Sequence, residues 1–251
     1  MFEDVRAWLA TQGFPLEMRT ASAFRKAGFE VRQSVLYRDA ETGKSREIDI
    51  LAIHPDPRGI IRIYFVIECK ATKKPWVLLC STHALDGYNR LFAFAVSSHE
   101  AKVALGDRLP EFIAERPWLR KAGLTGYSLR QAFSENDLAY AAALGLAKAT
   151  HDLVDREKEN YSAKLCFAFP IIVVETPLIR CVLAEDGEVL LEEVDQGEFL
   201  FHADPPKDFG TCIRVVTAKS LVAFAIEAKQ VAEQLRVDLK NEEEAIWEDR
   251  T

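Results

Sequence analysis

The segment Arg46 to Ala71, REIDILAIHPDPRGIIRIYFVIECKA, constrains the chain most. It sets Asp49, Glu68 and Lys70 inside two runs that are otherwise β-branched and aliphatic, the composition of buried strands. A charge in such a run is costly unless it is paired or bound to a cation. The break at Pro55–Gly59 reads as a turn, so the two runs predict an antiparallel hairpin. If the turn centres between Arg58 and Gly59, Pro57 faces Ile60, and continuing that pairing outward sets Asp49 opposite Glu68. Their Cβ atoms would then lie roughly 5 Å apart, and two carboxylates so placed repel unless a cation lies between them. Strand side chains alternate, so Glu68 and Lys70 share a face and Cys69 points to the other.

This trio suits metal-assisted hydrolysis. Hard divalent cations such as Mg²⁺ or Mn²⁺ take oxygen ligands, here Asp49 and Glu68, with Cys69 offering only its backbone carbonyl. A neighbouring ammonium, Lys70, orients water and stabilises developing charge. Other chemistries have weaker support. Cys69 near His54 or His83 could be a thiol nucleophile, but it points away from the charged face. The five histidines lack metal-ligand spacing, and the glycines form no phosphate-cradling loop.

Around the hairpin, helices are predicted near 2–11 and 15–27, the second opened by Pro15 and closed by Gly28. FEVRQSVLYRD precedes the hairpin as a third strand, making a helix followed by an antiparallel meander. Residues from Pro75 to about Arg130 are irregular and read as a decorating insertion, with one strand in LFAFAVSS. A long helix follows over 134–159, capped by Ser134, and then the buried strand KLCFAFPIIVVE. That helix-to-strand crossover implies a parallel pairing. A hairpin across Asp186-Gly187 and a strand running into a helix (CIRVVTAKSLVAFAIEAKQ) complete the chain, with NEEEAIWEDRT as a solvated acidic tail.

Composition narrows the classes. A chain of 251 residues, 49% hydrophobic, can bury a large core, and no domain boundary is evident over 1–251. No apolar run approaches the roughly 18 residues of a membrane span. The acidic, amphipathic N-terminus does not read as a signal peptide. Five scattered cysteines without CxxC favour reduced thiols and a cytoplasmic location. The net charge of −7 argues against coating nucleic acid by bulk charge, although the first half is basic and the second acidic.

Asp49, followed by Glu68-Cys69-Lys70 at the end of the next strand, resembles the PD-(D/E)XK, or restriction-endonuclease-like, nuclease superfamily. The likeness covers about residues 15–72 and resumes with the 134–159 helix and FPIIVVE. It implies an α/β fold: a mixed sheet with an α-β-β-β-α-β core flanked by helices, here extended by the C-terminal hairpin and strand–helix unit. It also implies a metal-dependent nuclease acting on nucleic acid, DNA first, and allows a homodimer. In that family the Asp and Glu bind metal and the Lys serves the attacking water, which maps onto Asp49, Glu68 and Lys70. Some members add a Glu from the first helix, and Glu17 occupies the matching place. Ile48 stands where the family often has Pro.

Alternatives remain beside these roles. Glu17 could equally pair with Arg19, Arg25 or Lys26 on a solvated face, and Glu47 is as readily a rim residue as a ligand. Arg46, Lys73, Lys74 and Trp76 are candidates for phosphate and base contacts, although KKPW is also an ordinary strand exit. The rivals to an active nuclease are a restriction-endonuclease-like binding module without turnover and an interaction subunit.

Overall fold

In the computed structural model, residues 1–39, 41–86, 94–106, 124–135, 137–159, 165–202 and 210–250 are described. Two helices, α1 (Phe2–Thr11) and α2 (Phe14–Ala27), lead into the strands β1 (Glu30–Arg38), β2 (Ser45–Ile53) and β3 (Ile61–Lys70). Next come β4 (Trp76–Ser81), β5 (Val96–Ser97), α3 (His99–Leu105), β6 (Thr125–Gln131) and α4 (Leu138–Glu159). The chain continues through β7 (Leu165–Val174), β8 (Leu178–Leu183), β9 (Val189–Val194), β10 (Gln196–Phe201) and β11 (Thr211–Thr217). It ends in α5 (Leu221–Asp238) and α6 (Lys240–Glu248). Pro15 lies in the first turn of α2, where its missing N–H costs nothing, and Gly28 ends the helix in the left-handed region at φ 101°.

The strands form one mixed sheet in the order β1-β2-β3-β7-β11-β10-β6-β4-β8-β9, with β5 added on β7. The β1-β2-β3 meander is antiparallel, and β7 runs parallel to β3 across the α4 crossover. All ten residues of β7 are buried, as a strand covered on both faces requires. One face packs on α2 and α5 through Phe24, Phe65 and Phe224; the other packs on α4 through Ala143, Leu146 and Ala147. Alanine lets α4 lie close to the sheet.

The meander contains a twist that positions everything below. Ser34, at φ 55°, lies across from Asp49 between the regular pairs Gln33–Ile50 and Val35–Ile48. On one side of this point Val31, Ile50 and Ala52 face α2. On the other side Val35, Tyr37 and Ile48, which share their parity, face α4. A positive φ in a non-glycine residue coils both strands sharply, so the alternation carries over to the opposite face at Asp49.

Three expectations are revised. Segment 75–130 is woven into the sheet: β4 and β6 pair with each other, with β4 also on β8 and β6 on β10. Leu78 of β4 presses so near β6 and β10 that a Cβ on Gly126 or Gly197 would lie 2.6 Å or 2.5 Å from its methyl carbons. At Gly126 the Glu198 carbonyl would also lie 2.7 Å away, so only glycine fits there. The long helix begins at Leu138, and Asp137 Oδ1 accepts the Tyr140 N–H, so Asp137 rather than Ser134 supplies the capping carboxylate. The acidic tail is the helix α6, docked because Glu243 receives Arg236 of α5 at 2.6 Å. Part of LFAFAVSS lies outside the described residues; Val96–Ser97 forms β5. No helix among the described residues is long and apolar enough to cross a membrane.

Candidate functional site

Asp49 comes from the twist in β2 and Glu68 and Lys70 from the last turn of pleat in β3. The observed register, Ile50 opposite Ile67 and Leu51 opposite Val66, is the one that carries Asp49 to Glu68 at its next step. Asp49 Oδ2 accepts the backbone N–H of Cys69 at 2.7 Å, and Lys70 Nζ donates to Glu68 Oε1 at 2.5 Å. Each carboxylate therefore spends one oxygen on the protein and, among the described residues, leaves the other without a partner. Cys69 turns its Sγ to the opposite face, 3.7 Å from the Thr20 hydroxyl of α2, and burial pushes its thiol far above the usual range. A thiolate nucleophile is thereby disfavoured.

The electrostatics carry excess negative charge. Burial raises the Asp49 carboxyl and outweighs the Cys69 N–H and the Lys70 ammonium. Burial also raises Glu68, and Asp49 adds to it. Glu17 on α2 feels the same cluster: burial, then Asp49 and Glu47, push its carboxyl up. Burial works against the Lys70 ammonium, but Glu68 and Asp49 more than compensate and hold its proton above the ordinary lysine value. Lys70 is accordingly a fixed positive charge and not a base near neutrality.

Of the three residues proposed to claim Glu17, Arg19 pairs with Glu175 and Arg25 donates to Gln33, and no ion pair joins Glu17 to Lys26 among the described residues. Glu17 feels the charge of Asp49 and Glu47 but does not join Asp49 and Glu68 in a three-carboxylate metal-binding group, so the expected reach to a shared cation is not met. Between the meander and α4 opens a cleft of about 360 Å³, with Tyr37, Arg46, Glu47 and Glu68 on its polar side. Arg46 is held there by Asp39, whose Oδ2 accepts Arg46 Nε at 2.9 Å. Burial alone would raise Asp39, but the N–H groups of Glu41 and Thr42, the Thr42 hydroxyl and Arg46 lower its carboxyl to about 2. Lys148 of α4 reaches Asp39 and Glu41 and ties the helix to the β1–β2 turn.

The KKPW residues diverge. Lys73 is exposed, Lys74 donates to the Phe133 carbonyl, and Trp76 is 0% exposed in β4, where no base can stack on its ring. Tyr37 and Gly145 escaped the sequence reading. Regular alternation places Tyr37 with Val31, and only the left-handed Ser34 brings it to the α4 side. Among the described residues no three His, Cys, Asp or Glu side chains form a metal-binding group, so a cation here would rest on the two carboxylates and backbone oxygen. Compared with protein-family models, curated proteins and solved structures, the chain matches none.

Proposed function

We propose that the chain is a divalent-metal-dependent nuclease of the restriction-endonuclease-like kind, hydrolysing phosphodiester bonds in DNA at Asp49, Glu68 and Lys70. The observation that carries this reading is the pair of half-buried carboxylates, each with one oxygen uncommitted among the described residues, beside an ammonium held charged. The order α2-β1-β2-β3-α4-β7, with β7 parallel to β3, supports it.

The donor set fits Mg²⁺ or Mn²⁺. Asp49 and Glu68 would hold the ion through the oxygens they leave uncommitted, with the Cys69 carbonyl as a further donor. When bound, the ion supplies Lewis-acid stabilisation of phosphoryl charge and lowers the pKa of water. Lys70 donates a hydrogen bond that orients the attacking water and stabilises charge developing on the phosphate. In the metal-free chain Glu68 and Asp49 favour its protonated form, which suits the donor role. Glu17, on α2, adds negative charge near the two ligands without being one of them.

A second reading, an inactive relative that binds nucleic acid, draws on the same contact: Lys70 already satisfies Glu68 at 2.5 Å, as a structural ion pair would. One experiment separates them. Purified chain is incubated with plasmid and oligonucleotide DNA in Mg²⁺, Mn²⁺ or chelator, wild type beside Lys70→Ala. Cleavage that needs the cation and is lost in the variant establishes the enzyme. Binding without cleavage in either cation establishes the module.

A further inference from the structure

The cleft that ends at Glu68 contains a polar group that the fold leaves unused. Tyr37 is 3% exposed as a residue, and what it exposes is at the cleft: among the described residues its hydroxyl makes no hydrogen bond and is open to the gap rather than sealed in the core. A hydroxyl on a cleft wall is satisfied by water when the cleft is empty, and a polar group of a ligand can take that water's place. The ring stands on the cleft wall, and its Oη lies 3.8 Å from where a Cβ on Gly145 would sit. The hydroxyl therefore points across the gap at α4.

The facing wall is α4: Ala141, Gly145 and Ala149, one residue per helical turn and none longer than a methyl group, with Leu146 beside them. The charged lining residues are Glu68, Glu47 and Arg46, the last being the cross-strand neighbour of Tyr37. The cleft thus offers carboxylates that attract a phosphate only through a cation, and beside them a helix wall of mostly small apolar residues facing the Tyr37 hydroxyl and its neighbour Arg46.

We propose that this cleft takes one unpaired nucleotide of a DNA strand, its phosphate toward Glu68 and Asp49, its sugar or base between Tyr37 and Gly145. The Tyr37 hydroxyl bonds the nucleotide, and Gly145 keeps the gap open. At about 360 Å³ the cleft falls at the small end of ligand pockets, roughly 300–1,000 Å³, room for a nucleotide and not for a duplex. A duplex can enter only by extruding a nucleotide, at an unstacking cost of a few kcal/mol that an unpaired strand does not incur. The proposal rests on the nuclease reading for the phosphate's position, and it sets the substrate class: single strands, frayed ends or unpaired sites ahead of intact duplex.

The test measures binding apart from cleavage. The full chain is titrated, with Ca²⁺ in place of Mg²⁺, against a labelled single-stranded oligonucleotide and a blunt duplex of the same sequence, following fluorescence anisotropy. The single strand is expected to bind at least about tenfold tighter, the duplex bearing the cost of extrusion. Tyr37→Phe should weaken the single strand by roughly fivefold, the fold-change of one neutral hydrogen bond. Gly145→Leu should fill the gap and remove the preference, while its melting temperature holds or rises, because leucine favours a helix over glycine. Equal binding of both probes, no binding of either, or wild-type binding by both variants overturns the cleft assignment. The nuclease reading stands or falls separately, on cation-dependent cleavage by wild type and its loss in Lys70→Ala.

Discussion

The Asp49 carboxylate is tethered to the backbone N–H of Cys69 at 2.7 Å, which fixes it against the end of β3. A backbone donor holds the acid in place without neutralising it. Asp49→Asn keeps an acceptor for that N–H and removes the charge that raises Glu68. Cleavage should vanish, and without divalent ion the variant should be more stable by about 1 kcal/mol, or roughly 2–4 °C at this size. Wild type should gain stability on adding Mn²⁺ and the variant should not. Thermal melts with chelator and with Mn²⁺ check both; a variant that melts below metal-free wild type refutes the repulsion.

Lys70→Ala should lower cleavage by roughly two orders of magnitude or more, the scale of a lost electrostatic group. The pair it breaks has side chains only 26% and 20% exposed. Glu68 is then left beside Asp49 at a cost of about 1–3 kcal/mol, the solvent-screened part of a buried-pair loss. Lys70→Arg should restore stability and little of the rate. Denaturant unfolding and single-turnover cleavage on both variants separate the two effects.

The pH dependence has two limbs of opposite sign. Asp49, Glu68 and Glu17 keep their protons to higher pH folded than unfolded. Above about pH 4 the native chain therefore holds more protons, and stability falls as pH rises through the folded values. Asp39, held at about 2, contributes stability that is present above about pH 4 and lost as pH falls through its folded value. Metal-free melting temperature should peak in mild acid. Asp49→Asn with Glu68→Gln should flatten the descent toward neutrality and leave the acid limb intact, while Asp39→Asn should blunt the acid limb alone.

Arg236 joins the end of the hairpin to the C-terminal helices: its guanidinium meets Asp56 at 3.3 Å and Glu243 at 2.6 Å. Arg236→Met leaves both acids without it and should cost about 3–5 kcal/mol. A fall in urea midpoint of less than a few tenths molar would show the network to be dispensable.

Much of the site was legible because its signal is local: charges misplaced in an apolar hairpin, with a turn that dictates what faces what. Asp49, Glu68 and Lys70 follow from that. The cleft does not, since Tyr37 changes face through one left-handed residue, Ser34, whose φ no composition announces. Trp76 looked like a surface aromatic because KKPW is a strand exit, whereas β4 enters the sheet and buries it. The acidic tail looked solvated because its partner, Arg236, lies in the preceding helix and binds Glu243 at an inter-helix contact that charge counting cannot see. QGEFLF, now β10, was hidden behind the preceding hairpin, its membership decided by pairing with β11.

The turn at Asp56–Gly59 lies roughly 30 Å from Glu68 along the strand, nine residues at about 3.3 Å each, yet it is the gauge against which the site is cut. Gly59 takes φ 66°, its N–H bonds to Asp56, and Asp56 in turn is gripped by Arg236. Adding or removing a single residue there would slide β3 along β2, and because pleat parity is two, it would also send Glu68 and Lys70 to the wrong side. A chain altered only in this remote loop would keep every acid and the lysine and still have nowhere to assemble them. Loop length here is thus as much a part of the chemistry as the side chains it brings together.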